Sequence, residues 1–173
     1  GRSIIHLEIG EPDFDTPLNI VEAGVTALRK GWTHYGPSAG QPELRQVIAE
    51  YVSRTRGVQV TSDEIVIVPG GKPIIFFTIL SLIDEQDEVI YPNPGFPIYE
   101  SMINYVGGRA MPIQLREGRD FSLDVDELAS MINDRTKLII LNSPHNPTGG
   151  VLNRNDIEGI AGAIGDRNVM VLS

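Results

Sequence analysis

Thr136–Lys137–Leu138–Ile139–Ile140–Leu141 is an apolar, β-branched run, the pattern of a strand buried in a sheet. It runs straight into Asn142–Ser143–Pro144–His145–Asn146–Pro147–Thr148–Gly149–Gly150, and Asn153–Arg154–Asn155–Asp156 then reads as a helix start. Strand, loop and helix in that order put the loop at the carboxyl end of a strand in an α/β layout, where such sheets bind ligands. Pro144 and Pro147 fix the backbone on either side of His145–Asn146. Asn146 then offers one amide, with a donor and an acceptor, to something in a cleft. An Asn-Pro turn on its own more often means an Asn bonded to its own backbone, so the rest of the chain has to decide.

Strand and helix signals alternate along the sequence. After a short apolar segment, Ile4–Ile9, the turn Gly10–Glu11–Pro12–Asp13–Phe14–Asp15 leads to Thr16–Pro17, a cap and first-position proline. Val21, Val25 and Leu28 have helical spacing, and Gly31 ends that helix. Thr33–Gln41 is a loop, and Pro42 opens a second helix through about Arg56. Strands are expected at Ile65–Val68, Asp87–Tyr91, Arg109–Gln114, 136–141 and Val169–Leu172. Helices are expected over Ile74–Leu82, from Asp124 to about Asn133, and over 154–165. Short apolar strands alternating with helices argue for an α/β fold, a mainly parallel sheet with helices on both faces in three layers. No internal repeat or linker interrupts it, so residues 1–173 are expected to form one partial domain.

Two more loops carry chemistry. Pro69–Gly70–Gly71–Lys72–Pro73 joins an expected strand to an expected helix. The backbone N–H groups of Gly71 and Lys72 then sit at a helix N-terminus, which suits phosphate. Pro73 fits a first-turn position, where its missing N–H is not needed. The string is neither a Walker loop nor a dinucleotide fingerprint. Pro92–Asn93–Pro94–Gly95–Phe96–Pro97 is stiff enough to aim Phe96 into or away from the carboxyl edge of the sheet; a rigid aromatic there can stack on a flat heteroaromatic ring, or it can fill a gap in the core.

The chain has no cysteine, so neither a disulfide framework nor thiolate chemistry is available. The formal net charge is −9, which argues against a nucleic-acid face and leaves an anionic ligand to local backbone cradles. No apolar run is long enough to cross a membrane and no secretory signal pattern appears; a cytoplasmic location is the expectation.

Five segments in order resemble one family. Gly10–Pro17 (GEPDFDTP), Thr33–Arg45 (THYGPSAGQPELR), the Gly70–Gly71–Lys72 loop, the loop around Phe96, and the SPHNPTG string are similar to fold-type I, pyridoxal-phosphate-dependent aminotransferases of the aspartate aminotransferase class. The resemblance implies the large cofactor-binding domain of that fold, with residues 1–40 supplying an opening segment and substrate and subunit-interface loops. It implies pyridoxal 5'-phosphate as cofactor. Asn146 would bond the ring oxygen and line the substrate site, Phe96 would stack on the ring, and Gly71 and Lys72 would hold the phosphate. Gly10 would lie near the substrate carboxylate. Tyr35 would reach the cofactor phosphate of a neighbouring subunit, so a homodimer is expected. Pro73 departs from the small residue usual in the family.

The implied activity is transfer of an amino group between an amino acid and a 2-oxo acid, a part of amino acid metabolism. Alternatives on the same fold are a C–S lyase or a synthase, and a pyridoxal-phosphate-binding regulator domain. The family's Schiff-base lysine, its pyridinium-pairing aspartate and its substrate arginine all correspond to positions beyond Ser173. Lys30, Lys72 and Lys137 are the only lysines, and none stands where the anchoring lysine would. The 173-residue chain by itself is therefore expected to be an inactive fragment, prone to associate through the Val169–Leu172 edge.

Overall fold

The computed structural model describes residues 3–6 and 10–173 and divides into two compact units, one ending at Ile67 and the other spanning Val68–Ser173. Positions 7–9 of the expected Ile4–Ile9 segment lie outside the described residues.

The first unit contains helix α1 (Leu18–Arg29), helix α2 (Pro42–Arg56) and a 3-10 turn at Ser62–Glu64. Pro17 precedes α1 without any side-chain cap, and Lys30 closes it. Pro42 opens α2, and Gly57 ends it in the left-handed region at φ 69°, which glycine reaches at little cost. The strand expected at Ile65–Val68 is not formed. The Ile65 carbonyl accepts from Arg45 Nε at 2.8 Å, and Ile67 N–H donates to the Ala39 carbonyl at 2.9 Å. A guanidinium and a loop thus take the groups a neighbouring strand would have used. Gly40 makes this approach possible: its φ is 103°, and a Cβ there would lie 2.5 Å from Ile67 Cγ1.

The second unit is built on a parallel sheet of β1 (Glu88–Asn93), β2 (Arg109–Gln114), β3 (Thr136–Ile140) and β4 (Met170–Leu172), in the order β2-β1-β3-β4. Successive residues of the central strands point to opposite faces. Val89, Tyr91, Leu138 and Ile140 pack with Ile79 of α3 (Lys72–Leu82) and with Tyr99, Met102 and Ile103 of α4 (Ile98–Tyr105). Ile90, Ile139 and Leu141 pack on the other face with Leu128 of α5 (Val125–Met131) and Ile160 of α6 (Arg154–Ile164). The unit is therefore the three-layer α/β arrangement expected from the sequence. The Asp124 carboxylate caps α5 by accepting from Asp126 and Glu127 N–H. Asn153 and Asp156 form a reciprocal capping box on α6. Helix α4 was not legible: three prolines before it read as a loop, yet Pro97 stands just before its first turn, where proline is tolerated. Its buried residues, Tyr99, Met102 and Ile103, nonetheless keep helical spacing. Among the described residues no helix is long and apolar enough to cross a membrane.

Candidate active site

The connection from β1 to β2 runs through α4 on one face of the sheet, and that from β2 to β3 runs through α5 on the other. With one handedness for all crossovers, a change of face is a change of direction. The chain therefore reverses between the neighbouring strands β1 and β3, and the loops leaving their carboxyl ends diverge. A crevice at such a reversal is where open α/β sheets take ligands. Phe96 lies in the loop after β1, Asn146 in the loop after β3, and Gly71 and Lys72 at the start of α3, which packs on the face holding α4.

Phe96 is half-buried and meets Tyr99 edge-on, with centroids 6.2 Å apart. Tyr99 in turn meets Tyr91 at 6.4 Å. Burial holds both tyrosine hydroxyls above the usual value, and the Glu100 carboxylate adds to the rise at Tyr91. The ring cluster thus stays uncharged. Gly95 sets the bend that presents Phe96, because a Cβ there would lie 2.2 Å from the Pro92 carbonyl oxygen. Lys72 Nζ stands 5.8 Å from the centroid of the Phe96 ring, so the start of α3 and the β1 loop meet.

Gly70 is left-handed at φ 84°, and a Cβ on Gly70 or Gly71 would meet open space. Both glycines and Lys72 are exposed. Among the described residues, the N–H groups of Gly70, Gly71 and Lys72 have no hydrogen-bond partner, while Ile74 and Ile75 N–H turn back to the Gly71 carbonyl. Free N–H donors, a helix N-terminus and an ammonium are the donor set that a phosphate needs. These residues fit a phosphorylated cofactor with a flat ring.

The β3 loop is held from within. His145 N–H donates to the Gly150 carbonyl and Gly149 N–H to the His145 carbonyl, both at 2.7 Å. Asn146 N–H donates to Asn142 Oδ1 at 2.7 Å, and Leu152 N–H to Ser143 Oγ at 2.9 Å. With its backbone fixed, the exposed Asn146 keeps its side-chain amide free of any partner among the described residues. His145 is buried, and burial pushes its imidazole below the usual value of 6.5. Sequence reasoning gave no part to Asn142 or His145. The spacing of Asn142 four residues before Asn146 was the available signal, since such side chains often bond nearby backbone N–H groups.

Tyr35 and Gly10 belong to the first unit. Tyr35 is fully exposed in its loop, and Gly10 is exposed with nothing near the position of a Cβ. The structure brings together Gly71, Lys72 and Phe96 by direct proximity and sets Asn146 on the adjacent strand's loop; Tyr35 and Gly10 stand in the other compact unit.

Known proteins are similar to this chain over nearly all of its residues. A probable aspartate/prephenate aminotransferase of Aquifex aeolicus is 39% identical over 173 residues, which are 100% of this chain and 44% of that protein. The aspartate aminotransferase of Pyrococcus horikoshii is 40% identical over 99% of this chain and 44% of its own length. Among solved structures, the aspartate aminotransferase of Thermus thermophilus with maleate superposes with a TM-score of 0.90 at 36% identity, covering 94% of this chain and 43% of that one. The chain thus spans less than half the length of these relatives. Residues 2–173 match the family described as aminotransferase class I and II, and the chain belongs to that family.

Proposed function

We propose that the protein, at the length of its relatives, is a pyridoxal-phosphate-dependent aminotransferase that moves an amino group between an amino acid and a 2-oxo acid. The observation that carries this reading is the point where the strand order reverses: the loop after β1 carries Phe96 with Lys72 beside it, and the loop after the neighbouring β3 carries Asn146 with a fixed backbone and a free amide. Bound pyridoxal phosphate supplies an electron sink for the bonds at the amino acid's α-carbon. The residues of this chain hold and orient it. Gly71 and Lys72 take the phosphate, the Phe96 face covers the ring and keeps water from it, and the Asn146 amide donates to the ring oxygen. Gly10 is assigned to the substrate carboxylate. Tyr35 is assigned to the phosphate of a second subunit, which makes the protein a homodimer. A cytoplasmic place in amino acid metabolism goes with this reading. Relatives named for aspartate, prephenate and aromatic amino acids support an amino-acid donor and a 2-oxo acid acceptor.

The test is Asn146→Ala in the protein at the length of its relatives, loaded with pyridoxal phosphate. Losing a donor to the ring oxygen disfavours the form in which that oxygen carries charge. The midpoint of the pH titration of the cofactor's visible absorbance is expected to rise by about one unit, the scale of one hydrogen bond to a charged group. An unchanged midpoint refutes the role given to Asn146.

A further inference from the structure

The β3 loop contains one buried polar atom that the assignments above leave unused. His145 Nδ1 lies 2.8 Å from Thr148 Oγ1, and Thr148 Oγ1 also receives Gly150 N–H at 3.4 Å. His145 Nε2 is buried and has no hydrogen-bond partner among the described residues. The ring therefore has one nitrogen engaged with the far side of the loop and one buried without a partner, and His145 lines a small cavity. The wall of that cavity is mostly aliphatic and aromatic, with Leu115 just past β2, Phe121 and Leu123 ahead of α5 and Leu152 after the loop, and its polar side chains besides His145 are Ser122 and Asn142. No ionisable side chain other than His145 lines it.

We propose that His145 is a positioning residue for Asn146, holding the loop closed through its Nδ1–Thr148 bond, and that the loop is held only while the imidazole is neutral. This rests on the reading of Asn146 as a cofactor contact. Asn146 is the residue after His145, and four bonds tie this stretch to the loop's other limb: the two main-chain bonds of His145, the Asn142–Asn146 bond and the imidazole–hydroxyl bond. Three of these involve His145. A neutral ring satisfies Thr148 in either tautomer, with Nδ1 donating to Oγ1 or accepting from it. A protonated ring carries an N–H on both nitrogens and a full charge, which the mostly apolar surroundings do not offset. A charge there meets no carboxylate in the cavity lining, and burial disfavours it. The ring must then leave the cavity, and leaving it breaks the bond to Thr148. The cavity makes the position of Asn146 dependent on the protonation of its neighbour.

The test uses the cofactor-free protein at the length of its relatives and follows hydrogen exchange of the Asn146 and Gly149 amides, both bonded within the loop. His145→Leu removes both ring nitrogens. His145→Asn keeps a polar atom where Nδ1 stands and removes Nε2. Above neutral pH, His145→Leu is expected to exchange these amides about tenfold faster, the worth of one hydrogen bond, and His145→Asn to retain the wild-type protection. As the pH falls below 6.5, the wild type is expected to lose protection while His145→Asn keeps it. Unchanged exchange in His145→Leu overturns the proposal. So does protonation of the wild-type ring, followed by NMR, without loss of protection. Should His145→Leu fail to fold, the pH comparison of wild type with His145→Asn decides alone. Because no cofactor is present, failure here tells against His145, whereas an unmoved absorbance titration in Asn146→Ala tells against the cofactor reading.

Discussion

His145 and Asn146 are adjacent in sequence and opposite in environment, one buried and the other exposed. The backbone bonds that close the loop hold two side chains with different fates: the imidazole lines a cavity with Leu115, Leu123 and Leu141, and the amide is exposed. The same division predicts a pH dependence of stability. Burial lowers the folded imidazole pKa below its ordinary 6.5, so on acidification the unfolded chain takes up the proton first. His145 therefore contributes stability that is whole above that value and lost as the pH falls through the folded pKa. Urea unfolding midpoints of wild type and His145→Asn should differ by a constant amount above neutrality. Below about 6.5 the wild type should lose stability relative to the variant. Parallel curves throughout would mean that the buried ring does not control the loss.

At the scale of elements, the site depends on how the chain leaves β1. Gly95 lies under the Pro92 carbonyl with no room for a Cβ. Gly95→Ala must push the β1 loop outward and carry Phe96 away from Lys72. A loss of about 1–3 kcal/mol in stability is expected from such a clash, together with weaker binding of pyridoxal phosphate, read by fluorescence titration. Full retention of both would show that the bend is not set by Gly95. The sheet itself was legible, because Val89–Ile90 and Leu138–Ile139–Ile140 are β-branched or aliphatic on both faces, as a doubly covered parallel strand requires. Helix α4 was not, because Pro92, Pro94 and Pro97 mask a helix whose signal begins only at Ile98. The expected Ile65–Val68 strand failed for the opposite reason. Its local pattern is that of a strand, but the partners of its backbone, Arg45 and Ala39, are distant choices that local periodicity does not contain.

For the whole molecule, the strand order sets two of the three candidate loops, those after β1 and β3, on adjacent strands. The sequence signalled each loop by its glycines and prolines, yet only the pairing of β1 with β3 relates the loop bearing Phe96 to the loop bearing Asn146. Neither the cavity under His145 nor the contact of Lys72 with Phe96 had a sequence signature, since both arise from packing of elements far apart in the chain. The reversal point between β1 and β3 is where the cofactor is proposed to sit. The most direct test is a crystal structure of the protein, at the length of its relatives, with pyridoxal phosphate. The expected structure has the ring under Phe96, its oxygen on the Asn146 amide, and the phosphate at the Gly71 and Lys72 N–H groups with Tyr35 of a second subunit beside it. A cofactor ring bound away from the β1 and β3 loops, or a phosphate away from the start of α3, would contradict it.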